Sequence, residues 1–334
     1  MPDSTHHITK AEAGQTLAAL VRRWSPELSW TEARGIVERR RVSINGNLCL
    51  DPARRLTEAE VVKITAHAQK KPPDQEQLRL RHIDPFVVVV EKPAGVTSVR
   101  HPEEEDWKNK RKQIQPTLDE MLPKAIAREQ RFTQHGEQRS PRGSLPIVRA
   151  VHRLDRDTSG LMIFARTVEA ERHLGEQFKK HTIQRLYRAV VHGRITEPKT
   201  IDTYIAADRG DGRRGSSVAA QTTGKRAITH VKPIEILKNY TLIECRLETG
   251  RTHQIRIHLA EEGHTLCGEK VYNRAVFKPE VKDNSGAPRI ALHAAELGFV
   301  HPVTNVNFKF SMPWPPELQK FWERLKAEDA RASV

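Results

Sequence analysis

One stretch of this 334-residue chain concentrates side chains that could do chemistry. It runs Val151-His152-Arg153-Leu154-Asp155-Arg156-Asp157-Thr158-Ser159-Gly160 and continues into the apolar, strand-like Leu161-Met162-Ile163-Phe164-Ala165. Two carboxylates stand two residues apart, Asp155 between Arg153 and Arg156 and Asp157 directly after Arg156. A carboxylate pair could serve hydrolysis, one group working as acid and the other as base or nucleophile. The plainer reading is an Asp-rich turn leading into a strand, since Asp, Ser and Gly favour turns for backbone reasons.

The elements that must position this stretch can be read around it. Leu17, Leu20, Val21 and Trp24 recur at helical spacing, the pattern of a helix with one buried face. Ser29-Trp30-Thr31-Glu32 has the form of a capping box, which starts a second helix carrying Ala33, Ile36 and Val37 inward. Val42 and Ile44 alternate up to Asn45-Gly46, and Leu48 and Leu50 alternate away. Asn-Gly between alternating strands predicts a hairpin, because a type I′ turn needs positive φ at both central residues. Val61 to Ile64 completes the small sheet. Residues 69–80, polar and stiffened by Pro72-Pro73, read as a linker between a domain over 1–68 and a larger one over 81–328.

In the larger body, Phe86 to Val90 is a β-branched run expected to form a buried strand. Residues 100–146 read as a polar surface insert, with one helix from Pro116 to Ala127. Val168 to Lys180 is expected as a helix, and Leu186 to Val191 and Tyr240 to Leu247 as strands. Asp208 to Ser216 is a Gly- and Arg-rich loop. Thr252 to Glu262, followed by Gly263, reads as a helix with a glycine C-cap. Leu318, Phe321, Trp322 and Leu325 form a last helical stripe, read as core packing.

Composition narrows the function. With 56 Lys and Arg against 42 Asp and Glu, the formal net charge is +14. Such an excess favours a polyanionic partner through phosphate contacts and counterion release. Cys49, Cys245 and Cys267 lie far apart, with neither a disulfide framework nor metal-ligand spacing. No His-Glu-x-x-His pattern occurs, so no zinc site is expected. No apolar run approaches the roughly 20 residues that span a bilayer, and no secretory core is present. A cytoplasmic monomer is expected, with no metal, no cofactor and no membrane partner.

His152-Arg153-Leu154-Asp155 followed by Asp157-Thr158-Ser159-Gly160 resembles the active-site motif of RluA-type pseudouridine synthases. Glu91-Lys92-Pro93-Ala94-Gly95 resembles that family's first strand and turn, and Tyr187-Arg188-Ala189-Val190-Val191-His192-Gly193 its tyrosine-bearing strand. Gly250-Arg251-Thr252-His253-Gln254-Ile255-Arg256-Ile257-His258-Leu259 resembles its late motif. The two N-terminal helices and hairpin, with Arg34, Arg39, Arg40 and Arg41 massed at their junction, resemble an S-four-type RNA-binding domain. The resemblance implies an α+β fold: a small αα-β RNA-binding domain, then a catalytic domain with a mixed sheet. It also implies RNA as partner, ribosomal or transfer, and isomerisation of specific uridines to pseudouridine.

That reaction breaks the bond from uracil N1 to ribose C1′, turns the base and joins C5 to C1′. It involves no redox change and needs no cofactor. One carboxylate must act on the ribose, adding to C1′ or taking a proton at C2′, and the residues leave both routes open. By the motif this carboxylate is Asp155. A carboxylate partly closed off by RNA tends to protonate through desolvation unless a cation holds it ionised. The resemblance gives that task to Arg251, whose guanidinium stays charged and can pair bidentately. It makes Tyr187 the face on which the flipped base stacks, and Arg153 the side chain that fills the gap left in the RNA. His152 is read as structural, and His253 and His258 as structural or phosphate-facing. The alternatives are a non-catalytic RNA-binding protein with the same fold, and a hydrolase using Asp155 and Asp157.

Overall fold

The computed structural model describes residues 3–44, 47–58, 60–68, 78–100, 116–133, 145–207, 214–216, 224–273 and 282–332. The elements begin with β1 (Ser4–His7), α1 (Leu17–Trp24), α2 (Trp30–Glu38), β2 (Val42–Ile44), β3 (Asn47–Leu48), β4 (Val61–Ile64), β5 (Arg79–Ile83) and β6 (Val87–Lys92). Next come α3 (Leu118–Thr133), β7 (Arg149–Ala150), β8 (Ser159–Ala165), α4 (Val168–Lys179), β9 (Gln184–His192), β10 (Lys199–Ala206), β11 (Gly215–Ser216) and β12 (Lys225–Ile236). β13 (Tyr240–Leu247), α5 (Gln254–Glu261), β14 (Leu292–Val300), β15 (Asn307–Ser311) and α6 (Pro316–Arg331) follow. The chain divides into two compact units. One comprises Met1–Lys71, Thr200–Thr229 and Thr249–Asn284, and the other Pro72–Lys199, His230–Glu248 and Ser285–Val334.

In the first unit, α1 and α2 pack with a four-stranded antiparallel sheet in the order β1-β4-β2-β3. The Ser29 hydroxyl accepts from the Glu32 N–H, and Glu32 reaches back to the Ser29 N–H, so the expected capping box is formed. Leu17, Leu20, Val21, Ala33, Ile36 and Val37 are buried together with Val42, Ile44, Val62 and Ile64, with Trp24 packed at the edge. β2 and β3 pair as a hairpin, while its Asn45-Gly46 turn lies outside the described residues. β1 was not legible: Ser-Thr-His-His carries no apolar alternation, yet it pairs along the whole of β4.

The same unit has a second core, where Val61 joins Ile205, Ala227, Ile257, Ala260, Val271 and Tyr272. Beside it Arg256 and Glu269 form a buried bidentate pair, Nε to Oε2 at 2.7 Å and Nη2 to Oε1 at 2.8 Å. Glu269 Oε1 also accepts from the Val271 N–H at 2.8 Å. Burial alone would raise this carboxyl, but the Arg256 charge and the N–H donors outweigh it and hold Glu269 down to about 2.

The second unit carries the larger sheet, in the order β13-β9-β14-β8-β6-β5, with β15 added to β14 and β7 to β8. β14 and β8 run parallel and the other pairs are antiparallel, so the sheet is mixed and the class is α+β. α4 covers one face, burying Ala170 and Leu174 against Val87, Val89, Leu161, Ile163 and Ala165. Leu318, Phe321, Trp322 and Leu325 are the buried face of α6, as their spacing indicated. The helix expected in the polar insert is α3. Residues 101–115 and 134–144 of that insert, and 69–77 of the linker, lie outside the described residues.

Candidate active site

β8 begins two residues before its apolar run, and all seven of its residues are buried. Gly160 has φ of +129°, and a Cβ there would lie 2.3 Å from the Ala294 carbonyl oxygen. β8 and β14 thus approach too closely at this point for any side chain. The segment immediately before β8, residues 152–158, is irregular, as chemistry-bearing loops on a rigid sheet commonly are.

Its backbone is nonetheless tied at almost every residue. The His152 ring accepts the Ile163 N–H at Nε2, 3.1 Å, which leaves the proton of the neutral ring on Nδ1. Burial pushes this imidazole down to about 3, so it is neutral and structural. The Ser98 hydroxyl donates to the Leu154 carbonyl at 2.7 Å and accepts the Leu154 N–H at 3.0 Å. The Arg156 carbonyl accepts from Lys92 Nζ at 2.9 Å and from the Gly95 N–H at 2.8 Å. The Asp155 carbonyl accepts the Thr158 N–H at 3.1 Å and closes a turn over 155–158.

These ties set the side-chain directions. Leu154 and Arg156 turn inward, 5 % and 7 % exposed, while Asp155 between them is half-buried and Arg153 is exposed. Asp157 lies in the turn with about half its side chain exposed, its Oδ1 3.6 Å from Arg156 Nη1. Lys92 is wholly buried at the end of β6, and its Nζ also donates to the Pro93 carbonyl at 3.0 Å. Burial pushes its ammonium down to about 7, against the opposing pull of Asp157 and Asp155. Tyr187, on β9, is 7 % exposed, so the contact it can offer a base is narrow. Burial raises its phenol, with the Asp155 charge pushing the same way and Arg185 opposing. Asp155 and Tyr187 are therefore close enough to act on each other electrostatically.

The remaining sequence-read residues lie in the first unit. Arg251 donates from Nε to the Arg226 carbonyl at 2.9 Å, and its N–H is held by Gln254 Oε1 at 2.9 Å. The expected helix starts at Gln254 because Thr252 and His253 form a turn, His253 at φ of +59°. Gly263, at φ of +84°, closes it as expected. His258 is fully buried between the Thr203 and Thr229 hydroxyls, and burial pushes it down to about 4. Arg34 and Arg39 are exposed on and just beyond α2, whereas Arg40 and Arg41 are half-buried. Arg41 donates from Nε to the Thr65 carbonyl at 2.7 Å, which serves the fold.

Sequence reading missed Lys92 and Ser98 as supports of the loop, and Arg289 and His293 behind it. Lys92 carried one usable signal, a charged residue two positions past a run of four valines. Arg289 carried none. Among the described residues, no group of three or more His, Cys, Asp or Glu could hold a metal ion. No helix among them is long and apolar enough to cross a membrane.

Comparison with known proteins bears on this arrangement. A family model described as RNA pseudouridylate synthase matches residues 86–261. The chain is 34% identical over 335 residues to ribosomal large subunit pseudouridine synthase D of Zymomonas mobilis, covering 97% of this chain and 98% of that one. It is 29% identical over 333 residues to the protein of the same name from Escherichia coli K12, covering 97% and 94%. Among solved structures, human RNA Pseudouridylate Synthase Domain Containing 1 matches with a TM-score of 0.53 at 22% identity, covering 77% of this chain and 98% of that one. Human RNA Pseudouridylate Synthase Domain Containing 4 matches with a TM-score of 0.54 at 21% identity, covering 74% and 92%. These two share the fold.

Lys92→Met keeps the stem's packing and removes the amine, leaving the buried Arg156 carbonyl short of a donor at about 1–3 kcal/mol and the half-buried Pro93 carbonyl short of one at less. The variant is expected to fold less stably, with the loop loosened. The sign with pH follows from the depressed folded value. Between about 7 and the ordinary lysine range the unfolded chain binds the extra proton, so wild-type stability gains on the variant as pH rises. The gain is at most about 1.4 kcal/mol per pH unit. Urea unfolding of both proteins from pH 6 to 10 measures the gap; one that stays flat above pH 7 would show that Lys92 is not held this way.

Proposed function

The chain belongs to the RNA pseudouridylate synthase family, and on that premise we propose that Asp155 converts a uridine of large-subunit ribosomal RNA to pseudouridine. Isomerase activity follows from the family match and from relatives aligned over nearly their whole length. That coverage favours the enzyme over a non-catalytic binding protein. The ribosomal substrate is supported by the names of those relatives. The observation that carries the assignment of Asp155 is the tied loop: the backbones of Leu154 and Arg156 are fixed, and the carboxylate between them is left half-open beside Tyr187.

The chemistry divides among this chain's own residues. Asp155 adds to C1′ or takes the C2′ proton of the flipped uridine. Lys92, whose partly protonated amine interacts with the Asp155 charge, and the late-motif Arg251 are proposed to help keep the carboxylate ionised. Tyr187 gives the base an aromatic contact, and Arg153 fills the vacancy in the RNA. The 1–68 segment anchors RNA through the exposed Arg34 and Arg39, with Arg40 and Arg41 contributing charge at the junction. The enzyme is proposed to act as a cytoplasmic monomer without a metal.

Asp155→Asn keeps shape and removes the charge, and an amide is neither a useful nucleophile toward C1′ nor a base toward C2′. Pseudouridine formation should vanish while RNA affinity holds or rises slightly, since a negative charge facing a polyanion is gone. Asp157→Asn is the control and should keep activity. Pseudouridine mapping in total RNA from cells lacking the gene, after incubation with each folded variant, reads both outcomes and the substrate. Normal product from Asp155→Asn would remove it from the mechanism, and product only in transfer RNA would replace the ribosomal assignment.

Tyr187→Phe keeps the ring and loses only the hydroxyl, whereas Tyr187→Leu loses the aromatic face as well. If stacking dominates, the Phe variant retains most of its turnover and the Leu variant loses most of it. Equal, severe losses in single-turnover assays would point to the hydroxyl instead.

Replacing Arg34 and Arg39 together by Gln should weaken RNA binding and flatten its salt dependence, by roughly one unit of slope for each phosphate no longer neutralised. Turnover at saturating RNA should survive. Unchanged affinity at every salt concentration would show that these arginines are not the anchor.

A further inference from the structure

Behind the Asp155 loop lies a cation that the reaction scheme does not use. Arg289 stands just ahead of β14, with only 14% of its side chain exposed. Its Nη2 donates to the Ser159 hydroxyl at 2.8 Å, and its Nη1 reaches the carbonyls of Ile290 at 3.1 Å, Leu292 at 3.4 Å and Asp157 at 3.5 Å. The other edge of the guanidinium faces α6, where Nε and Nη2 donate to Glu317 Oε1 at 3.1 and 2.9 Å. All three nitrogens are thus engaged. The acceptors lie on three separate segments: the end of the catalytic turn with the first residue of β8, the start of β14, and the first turn of α6.

We propose that Arg289 is a positioning residue for the Asp155 loop, held to that task by Glu317 of the C-terminal helix. The inference rests on the reading of Asp155 as catalytic. The turn over 155–158 is fixed at its front by Ser98 and Lys92, which grip Leu154 and Arg156. At its back it has Arg289, which grips the Asp157 carbonyl and Ser159 Oγ. Ser159 Oγ in turn lies 2.9 Å from His293 Nδ1, on the strand that runs parallel to β8. Without the back support the loop pivots on its front ties, and the carboxylate moves relative to Tyr187. A planar fork is required, because a lysine ammonium is a point donor and cannot span Ser159 and Glu317 while reaching the carbonyls. Glu317 aims the fork and, half-exposed in the first helical turn, can be changed without opening the core.

The test separates positioning from bulk stability. Arg289→Lys, Arg289→Met, Glu317→Gln and the double variant Arg289→Met with Glu317→Gln are compared with wild type. Each is incubated with RNA from cells lacking the gene, at saturating enzyme, and the single-turnover rate, RNA affinity and unfolding midpoint are measured. Misplacing a reacting group by about 1 Å can cost on the order of a hundredfold in rate. Both Arg289 variants should therefore lose roughly tenfold to a hundredfold, with RNA affinity within about twofold of wild type. Glu317→Gln should lose severalfold while remaining folded, and the double variant should be no slower than Arg289→Met, because the two residues act through one path. Wild-type rates in folded Arg289→Lys and Glu317→Gln, multiplying losses in the double variant, or a loss confined to affinity would each overturn the proposal. If an Arg289 variant does not fold, Glu317→Gln alone decides it. Asp155→Asn is run alongside: product from that variant overturns the reading of Asp155 itself, independently of the Arg289 result.

Discussion

The bond from the buried Lys92 amine to the Arg156 carbonyl is the constraint on which the candidate site depends. A lysine with no exposed surface is costly to bury, and the cost shows as an ammonium pushed down to about 7. What offsets it is local: two carbonyl acceptors and the nearby charges of Asp157 and Asp155. A hydrophobic residue at the end of β6 would pack at less cost. It would also leave the Arg156 carbonyl to the Gly95 N–H alone, and the loop would lose its firmest link to the sheet. The amine therefore serves rigidity at the place where an irregular backbone would otherwise be loose.

Rigidity there matters because the chemistry asks for little else. No external group is transferred and no electron changes hands, so on the proposed reading the protein's contribution reduces to placing one carboxylate, one aromatic ring and some positive charge. The sheet order supplies that placement. β6, β8, β14 and β9 are consecutive neighbours, so Lys92, the Asp155 loop, Ser159 with His293, and Tyr187 come from adjacent strands although they span two hundred residues of sequence. The close approach at Gly160 and Ala294 brings β14 against β8 where the loop enters the sheet.

Much of this was legible from local pattern, and the failures share one cause. The α1 and α6 stripes, the α2 capping box and the glycine after α5 were readable because period and cap chemistry are short-range properties of the chain. The start of α5 was misplaced because His253 takes a positive φ that its residue type does not announce. β1 was invisible because its reason for being a strand is the free edge of β4, fifty-odd residues away. Lys92, Ser98 and Arg289 escaped for the same reason: each is defined by carbonyls contributed from distant segments. Asp155 could be read only through its motif; it and Asp157 are both half-buried, so burial does not separate them.

Tyr187 shows how burial also narrows the roles open to a residue. Its ring is packed in β9 with 7 % of its surface open, and both that burial and the Asp155 charge raise the phenol. A hydroxyl so placed stays protonated at neutral pH. As the proposed partner of Asp155, it cannot wait as a phenolate to take the C5 proton. It can accept that proton only while passing its own onward, or leave the proton to another acceptor and act through its ring. The environment that brings Tyr187 within electrostatic reach of the carboxylate thus weighs against it as a free-standing base and toward an aromatic contact.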